Sequence, residues 1–128
     1  HGPGFPQTMA RLATERDQLS VVVDQVGQPT WTADLADLVH RLVAAGAPAG
    51  TYHGTSSGEV SWHGFTEEIV QFLGRDPAMV AATTSEAFAR PAPRPAYSVL
   101  AHDALHKAGV DPIGHWAERW RAAAPHVL

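Results

Sequence analysis

Val21-Val22-Val23-Asp24-Gln25-Val26-Gly27-Gln28-Pro29-Thr30-Trp31 is the stretch whose reading decides the fold. Val21 to Val23 are β-branched and suit an extended strand. Asp24 and Gln25 place two polar groups where that run ends. Gly27 and Pro29 then bend the backbone, and Thr30 or Thr32 is positioned to cap a following helix. The predicted form is strand, turn, helix, with polar side chains gathered at the carboxyl end of the strand. In open α/β sheets that edge is where ligands bind.

Outward from this stretch the pattern continues. Leu35, Ala36, Leu38, Val39, Leu42 and Val43 recur at helical spacing, with Asp34, Asp37, His40 and Arg41 mostly opposite, and Gly46 with Pro48 ends the run. Upstream, Gly2-Pro3-Gly4-Phe5-Pro6 reads as a loop, and Pro6 suits the first turn of a short helix carrying Met9, Leu12, Ala13 and Arg16. Downstream, Gly50-Thr51-Tyr52-His53 is predicted as a short strand and Gly54 to Gly58 as a polar turn. Ser61 should cap a helix that buries Phe65, Ile69, Phe72 and Leu73 and stops at Gly74. A further strand is expected over Met79 to Ala82, then a single helical turn over Thr84 to Phe88. Arg90-Pro91-Ala92-Pro93-Arg94-Pro95 is held extended by its prolines and is expected to lie across the domain surface. His102 to Lys107 is a helical turn ended by Gly109. Asp111-Pro112 is predicted to open a last helix with Ile113, Trp116, Ala117 and Trp120 on one face.

These elements fill one domain of 128 residues. The start at His1 carries no initiator Met and reads as though it opens inside something longer. There are no cysteines, which excludes disulfides, thiol catalysis and thiolate metal sites and points to a reducing, cytoplasmic setting. A net charge of −4 argues against nucleic acid as a partner, because Lys and Arg supply much of the affinity for phosphate backbones. No apolar run approaches the roughly 18–20 residues that span a bilayer, so no membrane partner is expected.

Eight histidines raise the question of a metal. His102 and His106 stand four apart, as in zinc hydrolases, but Asp103 replaces the usual Glu, Gly109 keeps the helix short and no third ligand is evident. Two surface histidines are the favoured reading, and no metal site is assigned. A Ser56–His53–Asp24 triad lacks the Gly-x-Ser-x-Gly elbow. Thr55-Ser56-Ser57-Gly58 lacks the Gly-Lys-Ser/Thr ending of a phosphate loop, and Gly2-Pro3-Gly4 follows no strand, so neither is a nucleotide fingerprint. Trp31, Trp62, Trp116 and Trp120 are core residues by default, with one free to stack on a base. Arg94 is the more informative residue. Held between prolines, it loses little entropy on gripping a phosphate, and its competing role is an ion pair with a surface acid.

Several segments together resemble the dTDP-4-dehydrorhamnose reductase family. They are Phe5 to Ala13; Val22 to Trp31, carrying Asp-Gln-x-Gly-x-Pro-Thr; Gly50 to His53 leading into Ser57-Gly58-Glu59-Val60-Ser61-Trp62; Arg94-Pro95-Ala96-Tyr97-Ser98-Val99-Leu100; and the closing Trp116. The resemblance implies an α/β fold, the C-terminal portion of a Rossmann-like extended short-chain dehydrogenase, with two or three short strands and about five helices. It implies a single domain over residues 1–128 that forms the substrate-binding part. The family's Gly-rich loop, Tyr-x-x-x-Lys pair and catalytic Thr match nothing here. NADPH would then be bound by an N-terminal part outside these residues, with no cofactor expected on this chain alone and no catalytic residue assigned within it. The implied function is substrate binding in an NADPH-dependent 4-ketoreductase forming dTDP-L-rhamnose or a related deoxysugar. The alternative is a non-catalytic reductase-like interaction or regulatory subunit. By family position, the implied substrate-binding residues are Gly4, Phe5, Gln25, Pro29, Thr30, Arg94 and Ser98, with Gly4 replacing a family Asn. The expected partners are a dTDP-sugar and either the N-terminal part or a second copy, since unpaired strand edges invite association.

Overall fold

A computed structural model describes residues 3–88 and 91–128. Expectations resting on His1, Gly2 and Arg90 lie outside the described residues. Among the described residues there are five α-helices and six short strands: α1 (Phe5–Glu15), β1 (Leu19–Val22), β2 (Val26–Gly27), α2 (Thr32–Ala44), β3 (Ser56–Ser57), β4 (Val60–Ser61), α3 (Trp62–Phe72), β5 (Val80–Thr83), α4 (Asp103–Lys107), β6 (Ile113–His115) and α5 (Trp116–Val127). The α/β class and the helix count agree with expectation. The strands are shorter and more numerous than the predicted two or three.

They form three pairs: β1 with β5 in parallel, β2 with β4 antiparallel, and β3 with β6 in parallel. β1 begins two residues before Val21, and alternate residues Leu19 and Val21 face the core. Gly27 is not a bare turn. It pairs with Val60, so the decisive stretch holds two strands before its helix. β3 falls within the predicted polar turn. Gly58 follows with φ +74, and a Cβ there would meet the His115 ring at 2.6 Å. Gly50 to His53 is not a strand. That backbone has no ladder partner, and the Tyr52 hydroxyl donates to Pro48 O at 2.6 Å.

Three apolar clusters hold these pieces. Ala13, Leu19, Val21, Val70 and Val80 join α1, α3 and the β1–β5 pair. Phe65, Ile69, Trp116, Trp120 and Ala124 join α3 to α5, and Met9 packs against both clusters. Leu38, Leu105, Val110 and Ile113 form the third, beneath α2 and α4. α3 is therefore the central helix. Ser61 caps it as predicted, accepting the Gly64 N–H at 3.1 Å. Its buried residues are Phe65, Thr66, Ile69 and Val70, whereas Phe72 and Leu73 lie outward because the helix buries its middle turns and not its C-terminal one.

Two other helix starts differ from expectation. Thr32 is the first helical residue of α2, and Trp31 holds the cap position without a side-chain bond. Thr30 instead donates to Gln28 O at 2.9 Å and accepts the Ser56 N–H at 3.0 Å. The last helix begins at Trp116, because Ile113 to His115 is recruited into pairing with β3, and the His115 ring caps α5. The Arg119 guanidinium grips both Asp34 oxygens, at 3.0 and 2.6 Å, tying α5 to the start of α2.

Candidate functional site

The parallel β1–β5 pair brings two chain exits side by side at its carboxyl end. Asp24 follows β1, and Ser85 follows β5 in a 3-10 turn spanning Ser85–Phe88. The Ser85 N–H donates to both Asp24 oxygens at 3.0 and 2.9 Å, and the Ser85 hydroxyl donates to Asp24 Oδ1 at 2.8 Å. These donors stabilise the carboxylate, the backbone N–H most, and lower the Asp24 pKa from its ordinary value. Gln25 Nε2 reaches Ser85 Oγ at 2.9 Å, while the Gln25 backbone carbonyl accepts the Trp62 N–H at 3.2 Å. Strand ends and helix α3 are thus joined at Gln25.

A second element closes over this junction. The segment after Pro95 runs along β2: Val26 N–H donates to Ala96 O at 2.8 Å, and Ser98 N–H donates to Val26 O at 2.9 Å. Gln28 clips it further, accepting from Leu100 N–H at 2.8 Å and donating to Leu100 O at 3.3 Å. The Tyr97 hydroxyl donates to Glu59 at 2.5 Å, a bond that raises the phenol pKa because it favours the protonated phenol. The approach is close at Gly27, where a Cβ would lie 3.0 Å from Ser98 Oγ and that side chain would have to shift. The prolines preceding this fastened segment carry Arg94. From Pro91 to Pro95 the stretch is exposed on the surface, as expected, and the chain is fastened to β2 from Ala96 onward.

Two adjoining clefts result. The larger, about 990 Å³, runs between α1, β1, the Ser85 turn and the Arg94 arm. The smaller, about 280 Å³, lies between β2, β4 and the same arm. Gln25, Trp62 and Arg94 line both. Of the residues expected at the site, Phe5 lines the larger cleft, Pro29 and Ser98 the smaller, and Gln25 and Arg94 both. Gly4 and Thr30 line neither: Gly4 caps α1 with its backbone, and the Thr30 hydroxyl is engaged within the fold. Arg94 forms no ion pair with any described acid.

Ser85 is an addition to the expected residues, and Trp62 is the tryptophan, among the four read as core with one free to stack on a base, that lines both clefts. Trp62 is 38 % exposed and packs its ring on Phe5 at 4.4 Å between centroids. Its position directly after the capping Ser61 was the available signal, because the first turn of a helix seldom faces the core on every side. Ser85 carried no signal, since its role depends on β5 lying beside β1. The Ser56–His53–Asp24 triad does not assemble. Asp24 is held by Ser85, His53 by Ala101 O, and Ser56 Oγ is buried without a partner. His102 bonds Thr55 Oγ1 at 2.9 Å, and its pKa is lowered by burial and then by neighbouring His106. Among the described residues no group of three or more His, Asp or Glu is arranged to hold a metal ion, and no helix is long and apolar enough to cross a membrane.

Comparison with known proteins gives a consistent picture. A family model described as the RmlD substrate binding domain matches residues 1–128. The chain is 50% identical over 119 residues to a dTDP-4-dehydrorhamnose reductase of Streptomyces griseus, covering 90% of this chain and 39% of that protein. It is 42% identical over 130 residues to a probable dTDP-4,6-dihydroxy-2-methyloxan-3-one 4-ketoreductase of Streptomyces antibioticus, covering 99% of this chain and 43% of that protein. Among solved structures, a dTDP-4-dehydrorhamnose reductase of Bacillus anthracis in complex with NADP superposes with a TM-score of 0.90 at 33% identity, covering 98% of this chain and 44% of that one. A Clostridium acetobutylicum dTDP-4-dehydrorhamnose reductase ortholog gives the same TM-score at 39% identity, with the same coverage of each chain. The chain spans about two-fifths of the length of the relatives it matches.

Proposed function

The chain belongs to the family of RmlD substrate binding domains, and from that premise we propose that it is the substrate-binding part of an NADPH-dependent nucleotide-sugar 4-ketoreductase. The whole protein would reduce the C4 ketone of a dTDP-4-keto-6-deoxyhexose in the cytoplasm, giving dTDP-L-rhamnose or a related deoxysugar. The observation that carries this reading is the pair of clefts meeting at Gln25, Trp62 and Arg94. A nucleotide sugar is a long ligand with an anionic middle. Two adjoining clefts with one cation on their shared lip match that layout. In an acidic chain, a fixed Arg meets the diphosphate by charge-assisted hydrogen bonding. Gln25, Pro29 and Ser98 supply polar and shape contacts around it, and Phe5 with Trp62 forms an aromatic wall.

Neither β1 nor β5 runs through a glycine-rich turn into an α-helix: β1 leads into Asp24–Gln25, and β5 passes into the Ser85 turn. NADPH would supply the hydride from a part of the protein outside these residues, and this chain's contribution is to bind and orient the sugar nucleotide. The β1–β5 pair also supports a partner for this chain, either that cofactor-binding part or a second copy. A two-stranded parallel sheet leaves backbone groups at its edges, and Val23 and Phe88 beside it are 38 % and 51 % exposed.

The test is calorimetric titration of the full-length protein with dTDP and dTDP-L-rhamnose, together with NADPH oxidation in the presence of the 4-keto sugar. Binding and turnover are expected. Binding without turnover gives the non-catalytic interaction subunit instead, and no binding of either nucleotide overturns the substrate-binding role.

A further inference from the structure

The two glutamines of the central stretch are used differently. Gln28 closes both ends of its amide on Leu100. Gln25 uses only one: Nε2 donates to Ser85 Oγ at 2.9 Å, and Oε1 accepts no hydrogen bond from a described residue. The neighbours dictate which way that amide faces. An ionised carboxylate only accepts hydrogen bonds, so the Ser85 hydroxyl directs its single proton to Asp24 Oδ1 at 2.8 Å. The Ser85 backbone N–H secures the same carboxylate, leaving the hydroxyl little freedom to turn. Ser85 Oγ therefore presents only lone pairs to Gln25. The amide NH2 is attracted to them and the amide oxygen repelled, which sends Oε1 away from Ser85. The backbone carbonyl of Gln25 is fixed independently by Trp62 N–H.

We propose that Gln25 Oε1 is an oriented hydrogen-bond acceptor where the two clefts meet, that Asp24 and Ser85 are the positioning residues that fix its direction, and that its partner is an N–H or O–H donor of the ligand. This rests on the nucleotide-sugar reading, in which the available donors are the imide N3–H of thymine and the hydroxyls of the sugars. Discrimination then comes from direction. A ligand acceptor at that point meets another acceptor and is rejected, whereas an amide free to turn accommodates either.

The experiment titrates the full-length protein with dTDP, N3-methyl-dTDP and dTDP-L-rhamnose, in the wild type and in the Gln25→Met, Ser85→Ala and Ser85→Thr variants. Gln25→Met keeps side-chain length without the amide. Ser85→Ala removes the hydroxyl but leaves the backbone N–H on Asp24. The wild type is expected to prefer a donor-bearing ligand by about three- to tenfold, the worth of one hydrogen bond. Gln25→Met and Ser85→Ala should both reduce that preference, and Ser85→Thr should restore it. A purely structural role for Ser85 would weaken all three ligands alike and leave their ratios unchanged. If the affected ratio is dTDP to N3-methyl-dTDP, the donor is the base; if it is dTDP-L-rhamnose to dTDP, the donor is a sugar hydroxyl. Ratios untouched by Gln25→Met and Ser85→Ala, with dTDP still bound, overturn the oriented acceptor and leave the nucleotide reading standing. Failure to bind any of the three overturns both.

Discussion

Arg94 is the residue on which ligand affinity should depend most, since it lines both clefts and pairs with no described acid. Arg94→Ala is expected to weaken dTDP binding by about 1.5–3 kcal/mol, the worth of a charge-assisted contact; an unchanged dissociation constant by calorimetry removes it from the site. Asp24 makes a prediction about pH. Its folded pKa lies below the ordinary 3.8, so the Asp24–Ser85 clasp stabilises the fold above that value and is lost as pH falls through the lower folded value. Asp24→Asn should accordingly flatten the acid limb of stability, read by urea unfolding across the acid range. An identical acid limb in the variant would show that the clasp contributes nothing to folding. At this scale the sequence was informative about Gln25 and Arg94, whose surroundings are set by adjacent prolines and by the end of a strand. It was silent about Ser85, because a serine in a short turn acquires its role only from Asp24, far away along the chain.

Among the elements, the contact of the arm with β2 is the one most exposed to a small change. Gly27→Ala puts a methyl 3.0 Å from Ser98 Oγ. The arm should lift, and dTDP affinity should fall several-fold with little change in the unfolding midpoint. Equal loss of stability and binding would instead mean that the β2–β4 pair itself had failed. The α3 cap gives a cleaner stability test. Ser61→Ala leaves the Gly64 N–H without its partner and should cost about 1 kcal/mol in urea unfolding. At α4, burial and then His106 lower the His102 pKa below the ordinary 6.5. The unfolded chain therefore binds more protons in the window below that value, and stability rises with pH across it. His102→Gln should remove that slope. Capping and helical periodicity were legible because they are local. The short strands were not: two residues become a strand only when a distant partner satisfies their backbone, as Ser56–Ser57 finds with β6. The absence of such a partner is why Gly50 to His53 remains irregular.

For the whole molecule, the parallel β1–β5 pair predicts association. Parallel strands are ordinarily covered on both faces and flanked by neighbours. A polypeptide limited to these 128 residues should therefore sediment above monomer mass or have low solubility, and a stable monomer would show that α1, α3 and the arm protect the pair sufficiently. The sequence by itself determined the α/β class, the five helices in order, and the polar cluster at the end of Val21 to Val23. Each of these follows from neighbouring residues through periodicity, capping and backbone restriction. Only the tertiary structure decided which polar groups meet at the two clefts. It did so by laying β5 beside β1, so that Ser85 meets Asp24 and Gln25, and by fastening the Arg94 arm along β2. Those pairings join residues some 60 to 70 positions apart, and the energy that selects them comes from packing around α3 rather than from any local preference.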